Sequence, residues 1–430
     1  MHNSKVLCLI LIILSGLFSN SICAIKCDTQ CCKNDPAVKN FQEFLKIDTS
    51  GGNNLGQAVK FLEHQAAELG LPLSVYYPDG IPICVISWIG ANSSLPSIML
   101  NSHADVVPAE EKFWTYPPFS AQIDENCNIH GRGTQDTKGV TIQYLEAIRK
   151  LIQSNVTLQR TLHITVMPDE ETGGFHGIKP FTKTKEFNDL NVGFVLDEGV
   201  TSSDDIFLVS YQDRRAWQMK FTVFGQGGHG SGMPHSSAME KIYKLFSRIM
   251  KFREEQDEIK KQKDLFDFGH YSSININIIS GGLAPNIIPS EVSMVADMRL
   301  AIDLDVEAVQ AMVESWRTEV GNDTSLEFIR RDVTSPATPL QHNAYWQAML
   351  QAAKDIDITL RPIVIPATSD MIVLRNMGIP ALGFAPRVRT KPLLHANNEQ
   401  LNVEVFMEGI DVYVAMLKSL GNVPDASHGK

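Results

Sequence analysis

The chain has 430 residues, of which 43% are hydrophobic, and a formal net charge of −11 with an isoelectric point near 5.6. This length predicts a folded protein of two domains, because single hydrophobic cores rarely grow past about 250–300 residues. The acidic balance and the lack of a basic stripe argue against a nucleic-acid partner, since phosphate backbones are held by clustered Lys and Arg.

The first segment has the pattern of a secretory signal peptide. An apolar run of 13 residues, from Val6 to Phe18, precedes small or polar residues up to Ala24. Such a run is too short to span a bilayer, which takes about 20 residues, but it suits a signal-peptide core. We expect residues 1–24 to be removed, which places the mature protein outside the cell or in the secretory lumen, free of the membrane. An uncleaved signal anchor is the alternative.

Cysteines and glycosylation triplets fit an exported protein. The triplets begin at Asn92, Asn155 and Asn322. Loss of the signal peptide leaves five of the seven cysteines: Cys27, Cys31, Cys32, Cys84 and Cys127. This odd number leaves one thiol free or bonded to another chain. The cluster of Cys27, Cys31 and Cys32 predicts a disulfide bond near the new N-terminus in an oxidising compartment, with metal binding as the alternative.

Residues 25–210 alternate helical and strand patterns. Apolar spacing predicts a helix over Ala58 to Leu69. Short apolar runs predict buried strands at Ile98 to Leu100, Leu162 to Met167 and Val192 to Leu196. Helices between such strands indicate an α/β domain with a mostly parallel, mixed sheet covered by helices.

Residues 211–330 change character and predict an inserted α+β unit. Its elements are strands at Trp217 to Phe224, Ser273 to Ile279 and Val292 to Leu300, and helices at Met239 to Lys263 and Val306 to Val320. Residues 331–430 return to the first pattern. Their elements are helices at Ala344 to Asp355 and Val403 to Leu420, and strands at Arg361 to Ile365 and Ala381 to Phe384. The larger domain is therefore expected to be discontinuous.

A histidine and an aspartate directly follow the first of the buried strands. His103 and Asp105 come just after Leu100. Ligand-binding groups collect beyond the carboxyl ends of strands in such sheets. A carboxylate two residues after an imidazole can hold the second ring nitrogen and strengthen the ring as a metal ligand. A plain surface hydrogen bond is the alternative for one such pair.

Acidic side chains follow at three later element ends. Asp136 lies in a glycine-rich turn, residues 131–139, that opens a helix. The turn fits neither the dinucleotide nor the P-loop spacing and its aspartate would repel phosphate, which favours a carboxylate ligand. The predicted strand that ends at Met167 is followed by Asp169, Glu170 and Glu171, and the one that ends at Leu196 is followed by Asp197 and Glu198.

Carboxylates gathered in this way need a cation, because they would otherwise repel one another and raise one another's pKa values. Calcium suits carboxylates alone, whereas histidines among the ligands favour zinc. His395 is the candidate second histidine. Two ions require a shared ligand, for which Asp136 is the candidate. Of the two adjacent glutamates after the strand that ends at Met167, Glu171 would bind metal. Glu170 would be the general base and then the acid for the leaving amine.

These motifs, in this order, resemble the two-zinc aminoacylase and carboxypeptidase metallohydrolases, and within them the N-acyl-amino-acid amidohydrolases. The resemblance extends from about Pro36 to Leu420. It rests on Leu100 to Pro108, Gly131 to Lys138, Pro168 to Glu171, Leu196 to Gly199 and Pro380 to Phe384.

The resemblance implies a full set of site residues. One zinc would be held by His103, Asp136 and Glu198, and the other by Asp136, Glu171 and His395. Glu170 would be the base, with Asp105 behind His103. Spacing alone leaves the choice between Asp197 and Glu198 open.

The resemblance also implies a homodimer in which the inserted unit is a lid and dimerisation domain. His229 would reach the partner's active site and stabilise the oxyanion. Arg375 would bind the substrate carboxylate as a bidentate partner, with Asn286 and Arg299 as further candidates.

Three features depart from the family. Met371 follows Ser369 and Asp370 where aminoacylases carry Asn, and residues 396–399 replace an acidic, histidine-containing run. The well-known animal aminoacylases of this type are cytosolic, so this chain looks like an exported relative.

The resemblance implies hydrolysis of N-acyl-L-amino acids to a carboxylate and an amino acid. A dipeptidase or carboxypeptidase with the same metals is the nearest alternative. A catalytically silent binding protein is another, but it predicts a lost ligand or base, and none is missing from the sequence.

Overall fold

The computed structural model describes residues 33–425. The predicted signal peptide and the cluster of Cys27, Cys31 and Cys32 lie outside the described residues, so both stay predictions. Within the described range, Cys84 and Cys127 are buried and free. No helix among these residues has the length and apolar character needed to cross a membrane.

Ten α-helices form over residues 33–425. They are α1 (Pro36–Leu45), α2 (Leu55–Leu69), α3 (Lys138–Gln153), α4 (Ile178–Phe181), α5 (Lys185–Asp189), α6 (Ala238–Lys261), α7 (Val306–Val320), α8 (Ala344–Asp355), α9 (Met371–Asn376) and α10 (Val403–Leu420).

Strands make up two main sheets and two small ones. They are β1 (Leu73–Tyr76), β2 (Ile83–Trp88), β3 (Ser97–His103), β4 (Gln122–Ile123), β5 (Asn128–His130), β6 (Leu162–Met167), β7 (Val192–Asp197), β8 (Ile206–Asp213), β9 (Arg215–Phe224), β10 (Gly228–His229), β11 (Ser273–Gly281), β12 (Ile287–Ile288), β13 (Glu291–Leu300), β14 (Ser325–Arg331), β15 (Thr359–Ile365), β16 (Ala381–Phe384) and β17 (Gln400–Asn402).

The large sheet has eight strands in the order β1-β2-β6-β3-β7-β16-β8-β15. Its centre, β6-β3-β7-β16, is parallel, whereas β2 and β8 pair antiparallel with their neighbours in that centre. The predicted mostly parallel, mixed sheet is therefore confirmed.

Helices cover both faces of this sheet. On β3, Ile98 and Leu100 belong to the core formed with α1, α2, α3, α8 and α10, whereas Met99 belongs to the core formed with α4, α5 and α9. Successive strand side chains point to opposite faces, so a strand covered on both sides has a continuous apolar sequence.

The second main sheet is antiparallel and has the order β11-β13-β9-β14. Along β9, Trp217, Met219 and Phe221 are fully buried against α6 and α7. A capping box, in which Ser237 and Glu240 each bond the other's backbone N–H, fixes the start of α6. The chain crosses from the large sheet into this one at Arg214, between β8 and β9.

Several elements lie outside the predicted set, among them β1, β2, β8 and β14. In β14 the pairing with β9 shifts register between Phe328 and Arg330, so Ile329 has no partner in the ladder. Buried and exposed positions still alternate along β14, but after Phe328 the apolar Ile329 is exposed and the charged Arg330 is buried. The alternation of apolar and polar residues by which a strand is recognised in a sequence therefore fails there.

Candidate active site

Three neighbouring strands deliver histidine and acidic side chains to one edge of the large sheet. Strands β6, β3 and β7 are adjacent and parallel, so their carboxyl ends lie side by side. His103 is the last residue of β3, Glu170 follows β6, and Glu198 follows β7. The structure thus brings together residues that are far apart in the sequence, as expected for this class of sheet.

Asp136 lies between the two candidate histidines. His103 Nε2 is 3.1 Å from its Oδ1, and His395 Nε2 is 3.2 Å from its Oδ2. His103 Nε2 is also 3.4 Å from Glu198 Oε2, and His395 Nε2 is 3.0 Å from Glu171 Oε2. Each oxygen of Asp136 therefore faces a separate group of possible ligands, which is the geometry of a bridging carboxylate.

Glu399 fixes the turn that carries Asp136. Its fully buried carboxylate accepts hydrogen bonds from the backbone N–H groups of Gly133, Gln135 and Asp136 at 3.1, 2.6 and 3.2 Å. Arg132 donates to the same carboxylate at 2.7 Å. Glu399, in the loop after His395, thus fixes the backbone of the turn that carries Asp136, and Arg132 balances the charge of Glu399.

The Asp105 carboxylate does not hold the second ring nitrogen of His103, contrary to the prediction. Nδ1 of His103 is 2.8 Å from the backbone oxygen of Asp105, while the Asp105 carboxylate is 3.6 Å away, too far for a hydrogen bond. That carboxylate instead accepts from the backbone N–H groups of Glu170 and Glu171, at 3.2 and 3.1 Å. Asp105 therefore orients the ring through its main chain and the glutamate turn through its side chain.

The structure distinguishes Asp197 from Glu198. Asp197 is turned into the protein, where its Oδ1 accepts from Asn101 at 3.1 Å and from the Glu198 N–H at 2.8 Å. Glu198 faces His103 in the cleft instead. This arrangement leaves Glu198 as the carboxylate at the end of β7 that can bind a ligand.

The cleft concentrates negative charge. Burial, together with repulsion from Glu198, raises the pKa of Glu170 well above its usual range. Burial likewise raises the pKa of Glu198 to about 7, against the pull of His103. Burial opposes protonation of His395, but Asp136 and Glu171 outweigh it and raise the pKa of the imidazole to about 10. A bound divalent cation would relieve this crowding.

The donor atoms fit metal ions. One atom each from His103, Glu170 and Glu198 lies within 4.8 Å of the others, and the same holds for His103, Asp136 and Glu171. Glu171 Oε1 is buried without a hydrogen-bond partner in the described residues. Imidazoles among carboxylates suit zinc or a similar transition metal.

Two arginines of the four-stranded sheet line the same cleft, which has a volume of about 210 Å³. Arg299, a predicted substrate residue, comes from β13, and Arg330 comes from the bulged part of β14. Arg330 was not predicted, because no pattern in a single sequence marks which way a bulge turns a side chain. Glu399 escaped prediction because a lone glutamate in a loop has no distinguishing pattern.

The structure contradicts the prediction that Arg375 binds the substrate. Arg375 is buried, and its Nη1 is 2.5 Å from Asp213 Oδ1. Its Nε donates to Thr338 and to the backbone oxygen of Ala381, at 3.2 and 3.0 Å. With its guanidinium bound inside the protein and absent from the cleft lining, Arg375 is a structural residue.

His229 and Asn286 lie away from the cleft of their own chain. His229 is in β10, which pairs with β12, and Asn286 lies just before β12. Both are exposed, and among the described residues the His229 ring bonds only Ser231, through its Oγ at 2.8 Å and its backbone N–H at 3.2 Å. Their predicted action at a partner's active site stays a prediction.

Comparison with known proteins places the chain among related hydrolases. The family model of peptidase family M20/M25/M40 matches residues 99–419. The chain is 39% identical to aminoacylase-1 of Mus musculus over 392 residues, covering 90% of this chain and 96% of that protein. Aminoacylase-1 of Dictyostelium discoideum is 36% identical over 400 residues, with 90% and 98% covered.

Solved structures share the fold at lower identity. Human carnosine dipeptidase 1 matches with a TM-score of 0.74 and 15% identity, covering 91% of this chain and 98% of that one. An M20 family metallo-carboxypeptidase from Sulfolobus solfataricus matches with a TM-score of 0.72 and 18% identity, covering 90% and 99%. Together with the site, these matches place the chain in peptidase family M20/M25/M40, as a metal-dependent, aminoacylase-like hydrolase of amide bonds.

Proposed function

We propose that the protein is a zinc-dependent aminoacylase that hydrolyses N-acyl-L-amino acids to a carboxylate and a free amino acid. The observation that carries the proposal is the position of Asp136 between His103 and His395. The similarity to aminoacylase-1 over 90% of the chain supports the substrate class.

Two zinc ions per chain fit the ligands in the cleft. His103, Asp136 and Glu198 would hold one, and Asp136, Glu171 and His395 the other. When bound, the ions supply the positive charge that polarises the scissile carbonyl and acidifies a water molecule.

Glu170 is the proposed general base. Its side chain is almost buried and lies 3.9 Å from His103 Nε2, inside the same cleft. Burial and the neighbouring carboxylates raise the pKa of Glu170, so its ionised carboxylate is a stronger base. This suits a group that would take a proton from water and then give it to the leaving nitrogen. Asp105 orients Glu170 by accepting its backbone N–H.

We also propose that the protein works outside the cytosol, after removal of residues 1–24. The side chains at the start of all three glycosylation triplets, Asn92, Asn155 and Asn322, are exposed, as glycan attachment requires. Sequencing the N-terminus of the secreted protein would place the cleavage site. A cytosolic protein that keeps Met1 would contradict this part of the proposal.

The four-stranded sheet and its helices are the proposed lid and dimerisation domain, over residues 211–330. Strand β11 is an edge of this sheet and exposes Ile278 and Ile279 by 58% and 59%. Exposed apolar edge strands pair readily with a second copy. In such a homodimer, His229 would stabilise the oxyanion in the partner's site, with Asn286 beside it.

The substrate class is tested by assaying the zinc-loaded protein against N-acetyl-methionine and a panel of dipeptides. We expect turnover of N-acetyl-methionine. Turnover of dipeptides alone would replace the aminoacylase with a dipeptidase or carboxypeptidase. No turnover of either, with metal bound, would leave a binding protein that kept the fold.

A further inference from the structure

The candidate metal ligand His395 lies on an irregular loop. The loop joins β16 to β17, and His395 has a φ of +60° and a side chain that is 53% exposed. His103, by contrast, ends a central strand of the large sheet and is buried. A ligand on a loop has to be held by contacts from the rest of the protein, because no helix or strand fixes its backbone.

The loop has little backbone hydrogen bonding of its own around His395. Over residues 391–395 of the described chain, one backbone–backbone hydrogen bond forms, from the Ala396 N–H to the Leu393 carbonyl at 3.0 Å. The remaining bonds to this stretch of backbone come from side chains of the glycine-rich turn, residues 131–139. Arg132 donates to the His395 carbonyl at 3.3 Å, and Gln135 forms the others.

The side-chain amide of Gln135 joins the two sides of this loop. Its Oε1 accepts from the Leu393 N–H at 2.9 Å. Its Nε2 donates to the carbonyls of Lys391 and Gln400, at 3.0 and 2.8 Å. Gln135 is 1% exposed, so water cannot replace these partners, and loss of the amide would leave backbone groups of the loop unpaired.

The backbone of Gln135 is held as well. Its N–H donates to the Glu399 carboxylate at 2.6 Å, and its carbonyl accepts from Arg387 Nη1. Gln135 directly precedes Asp136, the candidate shared ligand. One residue therefore connects the turn that carries Asp136 to the loop that carries His395.

We propose that Gln135 is a positioning residue for His395 and sets the affinity of one of the two proposed zinc sites. The inference rests on the proposed function. Gln135 supplies no atom to either ligand set and acts by holding the backbone on both sides of His395. Loss of a residue that holds a metal ligand in place weakens metal affinity about 10- to 100-fold.

The two proposed zinc sites should respond differently. The loop site is the proposed set of Asp136, Glu171 and His395, and the strand site is the set of His103, Asp136 and Glu198. The strand site takes no ligand from the loop, and Glu399 still holds the backbone of Asp136 when the Gln135 side chain is changed. Loss of the Gln135 amide should therefore weaken the loop site alone, whereas a general loss of stability would weaken both.

The test titrates zinc into the metal-free wild type and Gln135→Met, in competition with a chelator of known affinity. Methionine has a similar length but forms none of the three hydrogen bonds of the amide. We expect one of the two zinc affinities to fall about 10- to 100-fold and the other to stay at the wild-type value.

A double-variant cycle with His395→Ala identifies the site that is weakened. Since Gln135 acts through His395, adding Gln135→Met to His395→Ala should weaken the loop site no further. A merely structural role for Gln135 would add its effect to that of His395→Ala.

Gln65→Met is the matched control. Gln65 is also 1% exposed, and its amide bonds the side chains of Asn40 and Arg149, away from the cleft. This variant should keep both zinc affinities. If Gln135→Met does not fold, Gln135→Asn carries the same test, because its amide is one methylene shorter and cannot span the same three backbone groups.

Wild-type affinity at both sites in Gln135→Met, or in Gln135→Asn when only that variant folds, would overturn the inference. Equal weakening of the two sites, or an effect that adds fully to that of His395→Ala, would overturn it too. All these results leave the proposed function intact. A wild type that binds fewer than two zinc ions would contradict the proposed two-zinc function, and the inference would fall with it.

Discussion

Asp136 shows how much one carboxylate depends on its surroundings. The turn that carries it is held by Glu399, and its two oxygens face His103 and His395. A site of this kind requires several side chains, from distant parts of the sequence, to be fixed at once. Removal of one ligand should therefore be visible directly in metal content.

His103→Ala should lower both zinc content and turnover. Loss of a residue that hydrogen-bonds a metal ligand weakens metal affinity about 10- to 100-fold, so loss of a direct ligand should weaken it by at least about 100-fold. Metal content after dialysis against a weak chelator measures the effect. His64→Ala, on the exposed face of α2, is the control and should keep wild-type zinc. Full zinc retention by His103→Ala would remove His103 from the ligand set.

Only part of the site could be predicted from residues alone. His103, Asp136 and the acidic groups after β6 and β7 were predictable because they follow apolar runs or a glycine-rich turn. His395 lies in a loop between β16 and β17, without a strand to mark it, and needed the family resemblance. The prediction for Arg375 was wrong because the sequence does not show that Arg375 forms a buried ion pair with Asp213.

At the scale of elements, the bounds were predicted best where the apolar pattern is simple, as in the fully buried strands Leu162–Met167 and Ala381–Phe384 and in helices with one buried face. The helix Val306–Val320 has the predicted bounds because its buried residues recur every three or four positions. Strand β8 carries polar residues at its carboxyl end, and β14 has an apolar residue exposed at Ile329 and a charged residue buried at Arg330, so neither has a simple pattern of apolar and polar residues. The position of a bulge and the choice of neighbouring strand both depend on residues that are distant in the sequence.

The pair Arg375 and Asp213 joins α9 to the end of β8. Arg375→Met should lower the free energy of unfolding by roughly 3–5 kcal/mol, because it leaves a buried carboxylate without its cation. Chemical denaturation measures this change. The preference for N-acetyl-methionine over its carboxamide should stay at the wild-type value. A stable Arg375→Met protein that has lost this preference would restore Arg375 as a substrate residue.

Strand β6 contains a pH-sensitive histidine far from the carboxyl end that forms the site. Burial lowers the pKa of His163 from 6.5 to about 4, although a hydrogen bond with the Leu190 backbone opposes the shift. The unfolded chain therefore binds this proton first as the pH falls, and stability is lost between pH 6.5 and 4. Above pH 6.5 the ring is neutral in both states and the contribution is complete.

His163→Gln should accordingly lose less thermal stability than the wild type between pH 7.5 and 5. Melting temperatures at the two pH values give the comparison. His64→Gln, an exposed substitution on α2, should behave as the wild type does. Equal losses in wild type and His163→Gln would show that this histidine does not titrate as described.

At the scale of the whole molecule, the cleft lies where the two main sheets meet. The candidate metal ligands come from the carboxyl ends of β3, β6 and β7, the turn before α3 and the loop between β16 and β17, whereas Arg299 and Arg330 reach the cleft from the smaller sheet. Neither sheet alone contains a complete site. The proposed dimer would add His229 from a second chain.

The edge strand β11 should form the dimer contact. Ile279→Asp places a charge on this exposed edge and should convert the dimer to a monomer, as measured by light scattering with size-exclusion chromatography. Ile329→Asp is the control, because Ile329 is 49% exposed on β14, the opposite edge of the same sheet. A wild-type monomer, or a dimer that survives Ile279→Asp, would contradict this interface.

The most direct test of the whole account measures zinc content and turnover of N-acetyl-methionine together, in the wild type and in Glu170→Ala. The account predicts two zinc ions per chain in both proteins, with turnover in the wild type and a loss of at least about 100-fold in the variant, as expected for removal of a general base. Substantial turnover by Glu170→Ala, or loss of zinc from it, would contradict the assignment of Glu170 as the base of a two-zinc amidohydrolase.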